Sequence, residues 1–123
     1  MSFTIDRGKF GEDKAVEYLK EKKFEIIERN YKSQYGEVDI VARDRKEFVF
    51  IEVRTFFEGN LVKPVESVFR DKRKRLLFMV QHYINYRGIE GECRIDLIGI
   101  RLNKDGEVKR IKHVEDAFWG HRY

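Results

Sequence analysis

Two carboxylates lodged inside apolar, β-forming runs constrain this chain more than any other feature. Gly36-Glu37-Val38-Asp39-Ile40-Val41-Ala42-Arg43 and Phe48-Val49-Phe50-Ile51-Glu52-Val53-Arg54-Thr55 are rich in β-branched and aromatic residues, so each reads as a strand. Carboxylates are seldom buried unless they are paired, protonated or bound to a cation. Residues 44–47 are turn-compatible. If they close a hairpin, Arg43 faces Phe48, Val41 faces Phe50 and Asp39 faces Glu52. The two acids then share one sheet face, with Glu37 opposite Arg54 one pair further on. Adjacent carboxylates repel unless something positive lies between them, and a hard cation such as Mg2+ satisfies both. A slip of one residue would put them on opposite faces, so the reading rests on the loop length.

On either side of this hairpin the periodicity changes. Residues 6–23 read as a helix capped by Asp6, with Glu12, Ala15, Val16 and Leu19 on one face. Glu12 therefore starts on the inward side. It either complements the helix dipole from the first turn or joins a site beside it, and Gly8 and Gly11 permit a close approach there. Residues 24–31 read as a first strand, 32–35 as a loop, and the short links imply an antiparallel meander of three strands. Pro64 suits the first turn of a second helix that runs to about residue 86, bends near Asp71 and is ended by Gly88. Val68, Lys72, Leu76, Val80 and Tyr83 share its apolar face, so Lys72 is expected to point at the sheet. Five of the six residues 70–75 are basic. Such a run is either a solvated face or, through Arg70, Arg73, Lys74 and Arg75, a phosphate-contacting patch. A fourth strand spans 92–102, with Asp96 as a further acid among apolar residues. Following a helix, it is expected to run parallel to a neighbour through a right-handed crossover. Residues 103–106 form a turn, and 107–114 a fifth strand whose basic residues suit an edge. Phe118 and Trp119 are expected to pack onto the core, with base stacking as the alternative.

Length and composition bound what remains. A chain of 123 residues makes one domain, and 41% hydrophobic content supports a core. Charged residues reach 39%, so the surface is densely charged, but the +4 net charge is too small to identify nucleic acid as a partner by itself. Cys93 alone excludes an internal disulfide framework and a Cys-rich zinc site. With neither an apolar leader nor a run of membrane-spanning length, a soluble cytoplasmic protein is expected, with no membrane partner.

Asp39, then Glu52, then a cation two residues on gives Asp…Glu-x-Arg, which brings two acids and Arg54 to one place. Phosphodiester hydrolysis needs such a set: acids for a divalent cation and a positive group for the developing charge. These residues resemble the PD-(D/E)XK nuclease superfamily, and more closely the YraN-like bacterial family related to archaeal Holliday junction resolvases. The resemblance rests on Gly8-x-x-Gly11-Glu12-Asp13-x-Ala15, Arg29-Asn30-Tyr31, the run 36–44, and Phe50-Ile51-Glu52-Val53-Arg54. It continues through Pro64-x-x-Ser67-Val68-x-x-x-Lys72, Arg94-Ile95-Asp96-Leu97-Ile98 and the run 113–118.

The resemblance implies an α/β, restriction-endonuclease-like αβββαβ core, a mixed sheet flanked by helices, here with an extra C-terminal edge strand. It implies that Asp39, Glu52 and the Val53 carbonyl bind Mg2+ or Mn2+, with Glu12 completing the site. Arg54 stands where the superfamily has lysine. A guanidinium is effectively never deprotonated, so Arg54 suits a phosphate clamp rather than a general base, and Lys72 is a substitute cation. Asp13 and Glu37 fit structural roles, capping or pairing with Arg54. Three functions follow in order: a metal-dependent endonuclease acting on branched or flapped DNA, a nucleic-acid-binding protein that does not cut, and a structural or assembly protein whose acids are salt-bridged. A homodimer is expected if the likeness to junction resolvases extends to assembly.

Overall fold

In the computed structural model the described residues are 7–58 and 72–117. The cap at Asp6, the expected helical start from Pro64 to Asp71 with Arg70 in it, and the Phe118–Trp119 pair lie outside them. Helix α1 (Arg7–Glu21) leads into strands β1 (Glu25–Ser33), β2 (Gly36–Asp44) and β3 (Glu47–Phe57). Helix α2 (Arg73–Arg87) precedes β4 (Cys93–Leu102) and β5 (Val108–Val114). The five strands form one sheet in the order β1-β2-β3-β4-β5, and only β3 and β4 run parallel. This is the expected α/β architecture, a mixed sheet carrying a helix on each face, with β5 at the edge.

Local chemistry explains the element ends. Lys23 adopts a left-handed backbone (φ 72°), which lets the Phe24 N–H reach the Leu19 carbonyl at 2.9 Å and the Lys23 N–H reach that of Lys20 at 3.0 Å. These two bonds close a Schellman motif and turn Phe24 into the core. Gly88 ends α2 the same way, with φ 64° and the Ile89 N–H on the Ile84 carbonyl. The β2–β3 turn is tighter than the sequence suggests. Asp44 pairs with Glu47, so only Arg45 and Lys46 turn, with Arg45 left-handed at φ 61°. A two-residue turn in place of the expected four-residue loop extends the ladder by one pair without moving the register, and Arg43 faces Phe48 and Val41 faces Phe50 as expected.

The sheet divides the apolar residues into two cores. On the α1 side Ala15, Val16 and Leu19 pack against Ile40, Val49, Ile51, Ile98 and Ile100. On the α2 side Leu76, Met79, Val80 and Tyr83 pack against Val41, Phe50, Ile95 and Leu97. Alternation breaks at one place that matters for function. Asn30 has φ 53°, and around it Arg29 and Asn30 both reach α1, while Glu28 and Tyr31 both contact Tyr83 of α2. On the paired strand Val38 and Val41, three residues apart, share the α2-side core. Asn tolerates this left-handed backbone better than a β-branched residue would.

Asp96 is fully buried and structural. Arg94 Nε donates to its Oδ1 at 3.0 Å, the Asp116 N–H donates at 3.0 Å, and His113 Nε2 stands 2.7 Å from its Oδ2. Burial pushes the Asp96 carboxyl up, but these three partners outweigh it and hold it below the ordinary range. Arg94 also binds Glu47 and Asp44, which ties the β2–β3 turn to β4.

Gly11 sets the distance between α1 and the sheet. A Cβ there would meet Thr55 Oγ1 at 2.0 Å and Thr55 Cβ at 3.3 Å. Gly11→Ala is expected to destabilise the fold by about 1–3 kcal/mol, and adding Thr55→Ala to recover most of the loss, both read from urea denaturation.

Candidate metal and phosphate cleft

β2 and β3 part beyond their last ladder pair. Their backbone pairing runs from Asp44–Glu47 to Ile40–Ile51. At the next position Asp39 replaces the ladder with its side chain, Oδ2 accepting the Val53 N–H at 2.8 Å. A cleft opens in this fork with two lobes, of about 750 and 410 Å3, that share Lys32, Glu37, Asp39 and Arg54. The larger lobe lies toward α1 and includes Gly8, Lys9, Glu12, Arg29 and Val53. The smaller lies toward α2 and includes Glu52, Lys72, Arg75 and Leu76.

Asp39 and Glu52 are brought together as the register requires, close enough for each to feel the other's charge. Burial first, then the neighbouring Glu52 carboxylate, raise the Asp39 carboxyl from 3.8 to about 7, against the lowering effect of the Val53 N–H and Arg54. Arg54 only partly offsets the pair, with Nη2 at 3.7 Å from Glu52 Oε1. Its Nε is buried without a hydrogen-bond partner, an unsatisfied donor beside two acids.

Glu12 stands on the other side of Asp39. It does not serve the helix dipole, because no acid lies in the first turn of α1. Instead Oε1 accepts from Arg29 Nε at 2.9 Å and from Asn30 Nδ2 at 3.0 Å. Burial raises the Glu12 carboxyl despite these donors, and the charge of Asp39 adds to the rise. The three acids thus line one cleft with Asp39 central, Glu52 toward α2 and Glu12 toward α1. Among the described residues no three acidic, imidazole or thiol groups form a ready cluster around one point. The donor set nevertheless suits a hard cation. Asp39 and Glu52 offer carboxylate oxygens, and the raised Asp39 marks excess negative charge that a cation would relieve.

Other expected positions move. Lys72 does not point at the sheet. It occupies the N-cap position of α2, exposed, and lines the smaller lobe. Lys72 precedes the first turn of α2, where helical periodicity does not fix a face. Glu37 lines the cleft but pairs weakly with Lys32 at 4.0 Å, rather than with Arg54. Asp13 takes Arg29. Arg75 reaches the cleft, whereas Arg73 and Lys74 are absent from its lining. Arg29, Asn30, Lys9 and Lys32 are cleft residues that periodicity alone does not find. The only signal for the first two was their place in the motif at the end of β1.

A match to the uncharacterised protein family UPF0102 spans residues 11–100, which covers the whole hairpin, Glu12 and α2. The chain belongs to this family. UPF0102 proteins share most of its length: 39% identity over 113 residues with one from Porphyromonas gingivalis, covering 92% of this chain and 84% of the relative. One from Persephonella marina is 38% identical over 117 residues, 94% of this chain and 96% of the relative. One from Chlorobium chlorochromatii is 32% identical over 120 residues, 94% and 93% respectively. This is the YraN-like family that the motifs resemble. Among solved structures, Pyrococcus furiosus SfsA in complex with Ca2+ aligns with 85% of this chain and 62% of its own, at 14% identity and a TM-score of 0.34. No helix among the described residues is long and apolar enough to cross a membrane.

The raised Asp39 has a consequence for stability. A native value above the unfolded 3.8 means that the folded chain holds this proton more tightly, so Asp39 contributes most below about pH 4 and loses that contribution as pH rises to about 7. Asp39→Asn keeps an acceptor for the Val53 N–H and removes the charge. It is expected to stabilise the protein at pH 8 by about 2–4 kcal/mol and to make little difference at pH 4, measured by urea denaturation at both values.

Proposed function

We propose that this protein is a metal-dependent endonuclease that hydrolyses phosphodiester bonds in branched or structured DNA. The observation that carries this reading is the Asp39–Glu52 carboxyl pair, adjacent and under-neutralised in the lining of an open cleft. Asp39, Glu52 and the Val53 carbonyl would hold Mg2+ or Mn2+, with Glu12 as a further oxygen donor on the α1 side. The cation would supply Lewis acidity toward a phosphoryl oxygen and toward water.

The remaining roles belong to the chain's own residues. Arg54, whose buried Nε has no partner, would donate to a phosphate oxygen and offset charge as it develops. It cannot take a proton from water, so a base would come from elsewhere in the cleft. Lys72 at the mouth is a second cation for the phosphate backbone. Lys9, Lys32 and Arg29 ring the larger lobe and would draw in a polyanion. The protein would be cytoplasmic, and a homodimer would suit a substrate with two equivalent strands.

Nicking of branched DNA with Mg2+ or Mn2+ tests this. Glu52→Gln is expected to lower the rate by about a hundredfold or more while DNA affinity stays within about twofold. Cleavage at the wild-type rate in that variant would sink the proposal. A second reading, binding without cleavage, is favoured by the guanidinium of Arg54 in the lysine position. It requires salt-dependent DNA affinity and no cleavage with any metal. The third, a structural or assembly role, draws support from the salt-bridged acids Asp96 and Glu12. A clear Mn2+ isotherm by calorimetry, lost in Glu52→Gln, would exclude it.

A further inference from the structure

The outer side of α2 carries a row of rings that neither core uses. Phe78 is 53% exposed and Tyr86 70%, and Tyr35 from the β1–β2 turn, 41% exposed, stands against them. The rings touch in sequence: Phe78 to Tyr35 at 4.7 Å between centroids, Tyr35 to His82 at 5.5 Å, and His82 to Tyr86 at 6.2 Å and nearly parallel. Positions 75, 78, 82 and 86 follow one helical stripe, so the row starts at Arg75. There it joins the cleft. The Arg75 stem lies over Gly36, where a Cβ would come within 3.3 Å of Arg75 Cδ, and Arg75 lines the lobe that holds Glu52.

Charge indicates what covers this face. Helix α2 has four basic residues and no acid. Arg87 lies over the Tyr86 ring at 5.5 Å, and Glu28 is bound by Arg87 and Tyr83. Exposed rings flanked at each end by a cation match the faces and phosphates of an unpaired strand. A paired duplex keeps its base faces internal and offers nothing to stack on. From Arg75 to Tyr86 the stripe runs about 16 Å, room for on the order of four stacked nucleotides.

We propose that Tyr35, Phe78, His82 and Tyr86 form a stacking platform for the unpaired bases of a nucleic-acid strand, which Arg75 leads into the cleft. The direction of the strand rests on the endonuclease reading above; the platform itself does not. Together they make the substrate a branch or flap with unpaired nucleotides, rather than a fully paired four-way junction.

The test is fluorescence anisotropy of the whole protein in EDTA, so that cleavage does not enter. The probes are labelled oligodeoxythymidylate, oligouridylate of the same length and a matching blunt DNA duplex. Single strands are expected to bind about fivefold or more tightly than duplex, and the tighter of the two identifies the sugar. Phe78→Ala and Tyr86→Ala are each expected to weaken single-strand binding about fivefold or more, without changing its salt dependence. Tyr86→Phe, which keeps the ring, should stay within about twofold. Arg75→Ala is expected to reduce the slope of log affinity against log salt by about 0.7. Duplex binding as tight as single strand, or wild-type affinity in both alanine variants, would overturn the platform. So would a dimer, seen by sedimentation, that Phe78→Ala dissociates while single-strand affinity is unchanged. Because no metal is present, failed cleavage in the nuclease assay leaves these results standing, and loss of the platform leaves the cleft reading intact.

Discussion

The organisation of this protein depends on one side-chain-for-backbone exchange, the Asp39 carboxylate accepting the Val53 N–H where a sheet hydrogen bond would otherwise lie. Two strands that continued their ladder past Ile40–Ile51 would close the space between them. With this exchange in its place, β2 and β3 separate and a polar cleft forms at the end of an apolar sheet. The acids are therefore not an accident in two strands. Asp39 satisfies a backbone donor with one oxygen and leaves the other beside Glu52, so structural and chemical roles meet in one residue.

Asp96 and Asp39 show how differently two buried acids can be treated. Both lie in apolar strands, and burial raises the proton affinity of each. Asp96 receives a guanidinium, an imidazole nitrogen and a backbone N–H, which outweigh the desolvation and leave it ionised. Asp39 receives one backbone N–H and the neighbourhood of another carboxylate, and its proton is held to about pH 7. A fully compensated acid is a strut. An under-compensated one facing open space is a group that a cation or a proton can address.

The hairpin was legible because a strand has a period of two and this one has a short turn. The register from Arg43–Phe48 onward follows from those facts, and a two-residue turn in place of a four-residue loop leaves it intact. A parallel neighbour for β4 and the edge position of β5 follow from sequence with similar directness, whereas the close approach permitted at Gly11 gained its partner, Thr55, only from the fold. Lys72 was misplaced because helical periodicity was continued to a residue at the helix cap, where the face rule ends. The Tyr35–Phe78–His82–Tyr86 row was hidden because two elements distant in the chain supply it.

By itself, then, the sequence determined the two strands with acids in them, their register, the helix with Glu12 inward, and membership in a family. These are local periodicities and motif spacings, which near neighbours along the chain set. The tertiary structure alone decided that Asn30 would break alternation and send Arg29 to Glu12, that the charge of Asp96 would be compensated by partners while that of Asp39 was not, and that exposed rings would lead from Arg75 along α2. Each of these depends on the balance of desolvation against partners brought from other elements, and that balance exists only once the chain is folded.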